Sequence, residues 1–380
     1  MSDVNIKRFV NINIKPHVVN EVSSTRETVV LFTPDGTLGT VKHFERLSEV
    51  TYSEDSDTYK YLKCYFDNGG IKVDVYEGIS YDDLDDDILL ALPNELICIA
   101  CVSSDANIQD CYDKLSTLAI QMQPWTYDLT NQPAGRIDDV YGINEKIILA
   151  RNNEVTYDND GIPTKDNRKI TNFAVKYSTV VGAEMTIAAY LSQIDINKIN
   201  SVQDYCFTEE NIVEEDITDA IYGDVQDVNM NVDIYLSGAV RNCGGNCKDG
   251  YDLTNSYVKI ILHQTLTAQL IQLLTQKIKS SDGVSKIYAV ISQELEKYKN
   301  CGYLTTDKIW NDKSLLVSYN GETYTIVNKG DALLNGYIVK ILPISSLSST
   351  DKSNHSTPPI YIIIADQYGI RKITINGEII

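Results

Sequence analysis

Metal, nucleophile and carboxylate chemistry each leave a spacing signature, and the residues able to carry them are spread thinly along this chain. His17, His43, His263 and His355 stand far apart, with no two at metal-ligand spacing. Cys98-x-x-Cys101 is the tightest cysteine pair; a zinc ribbon wants a second such pair about 15–20 residues on, and only Cys111 follows. The run Leu96-Ile-Cys-Ile-Ala-Cys-Val102 alternates as a buried strand does, which makes both thiols core residues. Cys243-Gly-Gly-Asn-Cys247-Lys-Asp-Gly250 has the glycines of an anion-holding nest without the Gly-Lys-Ser/Thr ending of a P-loop, and reads as a tight, exposed loop. Asp158-Asn-Asp160-Gly161 resembles a calcium-loop fragment lacking its closing Glu, and reads as an exposed turn. No Gly-x-Ser-x-Gly elbow presents a serine. With 53 Asp and Glu, the approach of two carboxylates would discriminate nothing. The expectation is a chain with no catalytic, cofactor-binding or metal-binding residue: not an enzyme, and with no cofactor.

Composition narrows the partners. The 380 residues are 43% hydrophobic and 23% charged, proportions of a folded chain long enough for two or three ordinary cores. A net charge of −20 lacks the basic footprint that phosphates require, so nucleic acid is not an expected partner. Self-repulsion of that size also opposes premature association. The opening Met-Ser-Asp-Val-Asn-Ile-Lys has no signal-peptide progression, and runs such as Ile360 to Ala365 fall short of the roughly 20 residues a membrane helix needs. Synthesis in a cytoplasm and no membrane insertion are expected. Eight scattered cysteines in such a chain do not make a disulfide framework. Tyrosine, at 25 against 6 Phe, suits surfaces where a ring is buried and its hydroxyl stays wet, as at subunit contacts; an AT-rich genome would give the same excess.

The elements alternate. Phe9, Val10, Ile12 and Ile14, closed by Pro16, form a lone period-two segment that must find a sheet edge in its own chain or another. From Val29 to Met122 strands (29–33, 71–76, 95–102) alternate with helices (44–50, 59–66, 81–92, 107–122), the pattern of an α/β sheet covered by helices. The middle predicts strands at 147–151, 173–177, 202–208 and 231–237 and helices at 182–194 and, in part, 213–225. Val258, Ile261, Leu262, Leu266, Leu270 and Leu273 share one helix face; Ser281-Asp282-Gly283 separates this helix from a second, with Asp282 as its N-cap. The C-terminal part is β: 315–319 and 323–327 about Asn320-Gly321, then 336–342, 359–365 and 370–375, with Ser345 to Thr357 an exposed loop.

Several of these segments, in order, resemble phage tail sheath proteins, in particular the compact sheath-like branch of some myoviruses. Tyr59 to Tyr76 is similar to the family's amphipathic helix, Phe-x-Asn-Gly-Gly turn and strand, here Phe66, Asn68, Gly69 and Gly70. Asn-Gly-Gly lets a helix end left-handed and turn tightly into a strand. Asn231-Val-Asp-Ile-Tyr235, Asp249-Gly250 and the helix pair from Tyr257 to Lys299 resemble the family's C-terminal half, and Pro358-Pro359, Ile360 to Ile364 and Ile370 to Gly377 its closing strands. Gln367-Tyr368-Gly369 departs from the small Ala-Gly-Ala run usual there.

The resemblance implies an α/β N-terminal region and a C-terminal sheath-type domain, a sheet packed with two helices, with exchanged N- and C-terminal strand arms. The divisions it suggests are an arm (1–24), an α/β domain (25–130), a middle α/β region (131–230), a sheath-like domain (231–369) and a second arm (370–380). It implies a virion component assembled in the host cytoplasm: hexameric rings of self, stacked as a helical sheath around a tail tube protein, bounded by baseplate and tail terminator proteins, contracting to drive genome ejection. Val10, Ile12, Ile14, Ile373, Ile375, Ile379 and Ile380 would be the inter-subunit arm residues. The alternatives are another phage tail or baseplate structural protein, or a carbohydrate-binding phage protein.

Overall fold

The computed structural model describes residues 28–92, 96–121, 146–164, 172–248, 250–276 and 280–366. The chain divides into two compact units. The first takes in the described residues between Ser24 and Ile194 and between Asp204 and Ile260; the second takes in Asp195–Gln203 and those between Ile261 and Tyr368.

The first unit contains, in chain order, β1 (Thr28–Thr33), β2 (Val41–Phe44), α1 (Asp57–Asp67), β3 (Val73–Glu77), α2 (Asp86–Ala91), β4 (Leu96–Cys101), α3 (Ile108–Gln121), β5 (Ile147–Asn152), β6 (Phe173–Tyr177), α4 (Met185–Ser192), α5 (Asp219–Asp227), β7 (Asn231–Leu236) and β8 (Ala239–Cys243). The strands make one sheet in the order β2-β3-β1-β4-β5-β6-β7-β8. The six inner strands are parallel, and β2 and β8 close the two edges antiparallel. Strands buried on both faces need near-continuous apolar runs, and Ile147 to Ala150 and Phe173 to Val175 supply them. Val30, Phe32, Ile99, Ile148, Phe173 and Val175 join a core with Leu89 of α2, Leu115 and Leu118 of α3 and Val225 of α5. α1 packs on α4, and α4 reaches β1 and β5. The expected α/β class is what the chain adopts.

The second unit holds α7 (Ser280–Asn300), β9 (Lys308–Ile309), β10 (Leu315–Tyr319), β11 (Glu322–Val327), β12 (Ala332–Leu333), β13 (Tyr337–Ile341), α8 (Ser349–Ser353) and β14 (Ile360–Ile364). The division between units falls inside α6 (Leu253–Thr275), between Ile260 and Ile261. Its strands pair as three antiparallel ribbons, β10-β11, β9-β12 and β13-β14. The β10-β11 turn is Asn320-Gly321, both at positive φ (49 and 81°), the geometry two-residue hairpins favour.

Several local expectations change. Residues 44–50 give the end of β2 and one 3-10 turn at Leu47–Glu49, not a helix. The acidic stretch 81–92 splits in two, because Ser80 and Asp83 cap one turn reciprocally and the Asp85 side chain accepts from Ile88 N to start α2 afresh. Asp282 is not an N-cap: α7 begins at Ser280, and Asp282 pairs instead with Lys286 one turn on (2.9 Å). The loop 345–357 contains α8, nucleated by a capping box between Ser348 and Asp351. Residues 202–208 form no strand in the sheet; Phe207 is at φ 66°. The closing segment 370–377 lies outside the described residues, and among those described no helix is long and apolar enough to cross a membrane.

Candidate assembly surfaces

Of the expected arm residues, Val10, Ile12, Ile14, Ile373, Ile375, Ile379 and Ile380 lie outside the described residues. What the second unit does present is a place for an added strand. β14 reads Ile-Tyr-Ile-Ile-Ile, every residue half-buried, and among the described residues β13 is its one strand partner. The register sets Tyr337 opposite Ile364, Val339 opposite Ile362 and Ile341 opposite Ile360. Tyr337 Oη donates to Glu296 Oε1 of α7 at 2.9 Å, so by the two-residue period these six side chains share the face turned towards α7. Ile338 with Ile363 and Lys340 with Tyr361 take the other face. The ribbon is anchored at one end: Thr305 N donates to Ala365 O (2.8 Å) and Ala365 N to Gly336 O (2.8 Å). A short, apolar, half-covered ribbon with an edge open among the described residues is a template for another extended chain.

In the first unit, Phe66, Asn68, Gly69 and Gly70 close α1. Gly69 N donates to Phe66 O (3.0 Å) and Gly70 N to Tyr65 O (2.9 Å), a Schellman pair, with Gly69 at φ 84°. Asn68 is the C-cap; its side chain donates to Cys64 O (2.8 Å) and accepts from Asn211 N (2.7 Å), while Gln193 Nε2 donates to Asn68 O (2.9 Å). Gly70 leaves room for the fully buried Tyr65 ring, whose hydroxyl accepts from Ile71 N and Lys72 N (3.2 Å each) and donates to Lys72 O (2.8 Å). The turn thus fixes the entry into β3 and holds the 211 segment.

Open α/β sheets hold ligands where the strand order reverses, here beyond the carboxyl ends of β1 and β4. That place is filled by Tyr61 of α1, 0% exposed, with Oη 3.0 Å from Ser103 Oγ and donating to Glu184 Oε1 at 2.7 Å. Beside it Arg151 donates to Asp105 (2.9 Å), and Thr33 Oγ1 lies 2.6 Å from Thr58 Oγ1. Burial pushes the Tyr61 hydroxyl well up, and the Cys64 thiol up to about 12, so neither is poised as a nucleophile at neutral pH.

The Cys243–Gly250 loop is not the exposed loop that its glycines suggested: Cys243 is 1% and Cys247 0% exposed. The nest is already occupied. Asn231 Oδ1 accepts from Gly245 N (2.5 Å) and Asn246 N (3.1 Å), and Asn231 Nδ2 donates to Val175 O (3.1 Å). Lys248, also buried, donates from Nζ to Val228 O at 2.8 Å. Burial lifts the Cys243 thiol to about 11. In the native protein Cys206, half-buried, should therefore take a thiol reagent well ahead of Cys243. Mass spectrometry of timed labelling checks this, and equal rates would mean that the loop opens freely. The Asp158 turn is exposed as expected, with Asp158 Oδ1 accepting from Asp160 N and Ile162 N (2.9 Å each).

The fold so described has counterparts among solved structures. A chain of the anti-feeding prophage (AFP) baseplate, 6-fold symmetrised, matches with a TM-score of 0.58 at 15% identity, covering 97% of this chain and 99% of that one. A chain of the same baseplate in its contracted state matches with 0.59 at 12% identity, over 98% and 99%. A sheath tail protein of Desulfitobacterium hafniense matches with 0.48 at 8% identity, over 94% and 100%. No family model and no curated protein matches the sequence. At 15% and 12% identity the two baseplate matches establish a shared fold over nearly the whole chain.

Proposed function

We propose that this chain is a structural subunit of a contractile tail sheath, with no catalytic role, which polymerises around a tail tube and contracts to drive it through a host envelope. The observation that carries the reading is the β13-β14 ribbon, half-exposed and apolar on both strands apart from Lys340, in a chain whose two ends carry apolar alternations suited to strand addition. Val10, Ile12 and Ile14 from one end, and Ile373, Ile375, Ile379 and Ile380 from the other, pair with such edges on neighbouring copies. Head-to-tail contacts of this kind close into rings or continue as helical filaments, here hexameric rings stacked into a tube between baseplate and terminator proteins in a virion tail. The arms stay paired while the bodies repack, so contraction releases energy stored at assembly and consumes no nucleotide. On this reading residues 231–369 act as the sheath-like domain between arms 1–24 and 370–380.

Deletion of residues 1–15 should abolish polymerisation and leave a folded monomer. Negative-stain microscopy and sedimentation across a concentration series read the result; normal tubes from the truncated chain would end the strand-exchange reading. A second reading, a ring-forming baseplate component, is favoured by the source of the two neighbours at TM-scores of 0.58 and 0.59. The same micrographs separate the two: stacked tubes belong to a sheath, and rings that never stack belong to a baseplate part.

A further inference from the structure

One buried cluster in the first unit has charges that do not balance. Lys176 of β6, 0% exposed, donates from Nζ to Asp233 Oδ1 of β7 (2.7 Å), to Glu210 Oε2 (2.9 Å) and to Asn242 Oδ1 of β8 (3.2 Å), and stands 3.1 Å from Tyr205 Oη. Tyr205 Oη donates in turn to Glu210 Oε1. Asp233 and Glu210 are 1% and 7% exposed, so two carboxyls and one ammonium are shut away from water together. An uncompensated charge in such a place is relieved by taking up a proton. Asp233 is the group placed to hold it, since its Oδ2 accepts no hydrogen bond. Burial raises Asp233 well above the ordinary carboxylate range; Lys176 pulls it down and Glu210, facing it, pushes it up again. Among the described residues the remaining neighbours add no second cation: Thr186 of α4 meets Tyr205 Oη at 3.2 Å, Cys64 of α1 lies within the field of Glu210, and Cys243 of β8 lies beside Cys206.

Tyr205 and Glu210 belong to a strap, residues 204–210, that runs along the outer edge of β8. Phe207 N donates to Asn242 O (2.7 Å), Asn242 N to Thr208 O (3.0 Å) and Glu210 N to Val240 O (3.0 Å). The sheet edge is thus covered by a segment whose own anchor is the buried cluster. We propose that the strap is a proton-dependent latch: one proton held on Asp233, in the face of Glu210, keeps residues 204–210 across β8, and its loss at raised pH frees the strap and bares the edge. The sign follows from the direction of the shift. The closed form binds the proton more tightly than the open form does, so closure is strongest at low pH and is lost as pH rises from the carboxylate range through the closed-form value.

Hydrogen exchange of the full chain between about pH 6 and pH 9, corrected for intrinsic rates, tests this directly. In the wild type, opening at the amides of Phe207, Glu210 and Asn242 should grow by up to about tenfold per pH unit, the slope of one released proton. Asp233→Asn, which keeps the shape and removes the proton, should flatten that slope, and Glu210→Gln should do the same should the first variant fold poorly. The β1 amides are the reference and should not follow. A flat wild-type profile, a slope unchanged in both variants, or an equal rise in β1 would each overturn the latch.

Discussion

Lys176→Met should lower the unfolding free energy of the sheet-bearing unit by about 3–5 kcal/mol at neutral pH, the range for breaking a buried ion pair from one side. The substitution removes the cation that Asp233 and Glu210 share and leaves both carboxyls at 1% and 7% exposure with no opposite charge. Tyr205 and Asn242 each lose a bond at the same time. The pair Asp282–Lys286 is the opposite case: both side chains are about half exposed, water screens them, and Lys286→Met should go almost unnoticed. The Lys176 loss should shrink as pH falls through the carboxylate range, because protonated carboxyls no longer need a cation. Urea unfolding followed by tyrosine fluorescence at two pH values reads both effects. A loss below about 1 kcal/mol at neutral pH would mean that the cluster admits water.

Gly70→Ala should cost about 2–4 kcal/mol, and more than Gly69→Ala, although only Gly69 sits at positive φ. A Cβ on Gly70 would stand 2.5 Å from three ring carbons of Tyr65, which is walled in at 0% exposure. The ring has to move, and its hydroxyl then gives up the backbone groups of Ile71 and Lys72 that start the path into β3. The nearest atoms to a Cβ on Gly69 are those of the Gln193 side-chain amide, at 3.1 Å and beyond, which leaves the left-handed strain of about 1 kcal/mol as the main cost. Thermal unfolding of both variants gives the order. The reverse ranking would show that strain, not the ring, governs the turn.

Much of this architecture was legible because it is local. Ile147 to Arg151 and Phe173 to Tyr177 are apolar runs of strand length, Ile108–Gln121 has one apolar face, and Asn320-Gly321 between alternating residues names its own hairpin. The α1 turn was legible for the same reason, since Asn-Gly-Gly acts within one turn of chain. What escaped depends on partners distant in sequence. Gly244-Gly245-Asn246 looks like an exposed turn until Asn231 supplies the oxygen that fills it. Lys176 and Asp233 each break an apolar strand, Phe-Ala-Val-Lys-Tyr and Asn-Val-Asp-Ile-Tyr, and two opposite charges in such runs were the available hint that the strands were neighbours. Ser348-x-x-Asp351 was a local signal for α8, hidden among serines that also suit a loop.

The strand order has a consequence for synthesis. β1 sits between β3 and β4, so a three-strand parallel core is complete once Cys101 has left the ribosome. From there the sheet extends in one direction only, by β5, β6 and β7 in turn, and β8 ends it. Until Ile147 emerges, β4 waits with a raw flank for a time on the order of seconds, at about 5–20 residues per second. Nascent chains stalled at successive lengths should thus gain protease resistance in steps, one strand at a time from a single growing end, and a sheet that became resistant all at once would contradict this vectorial order.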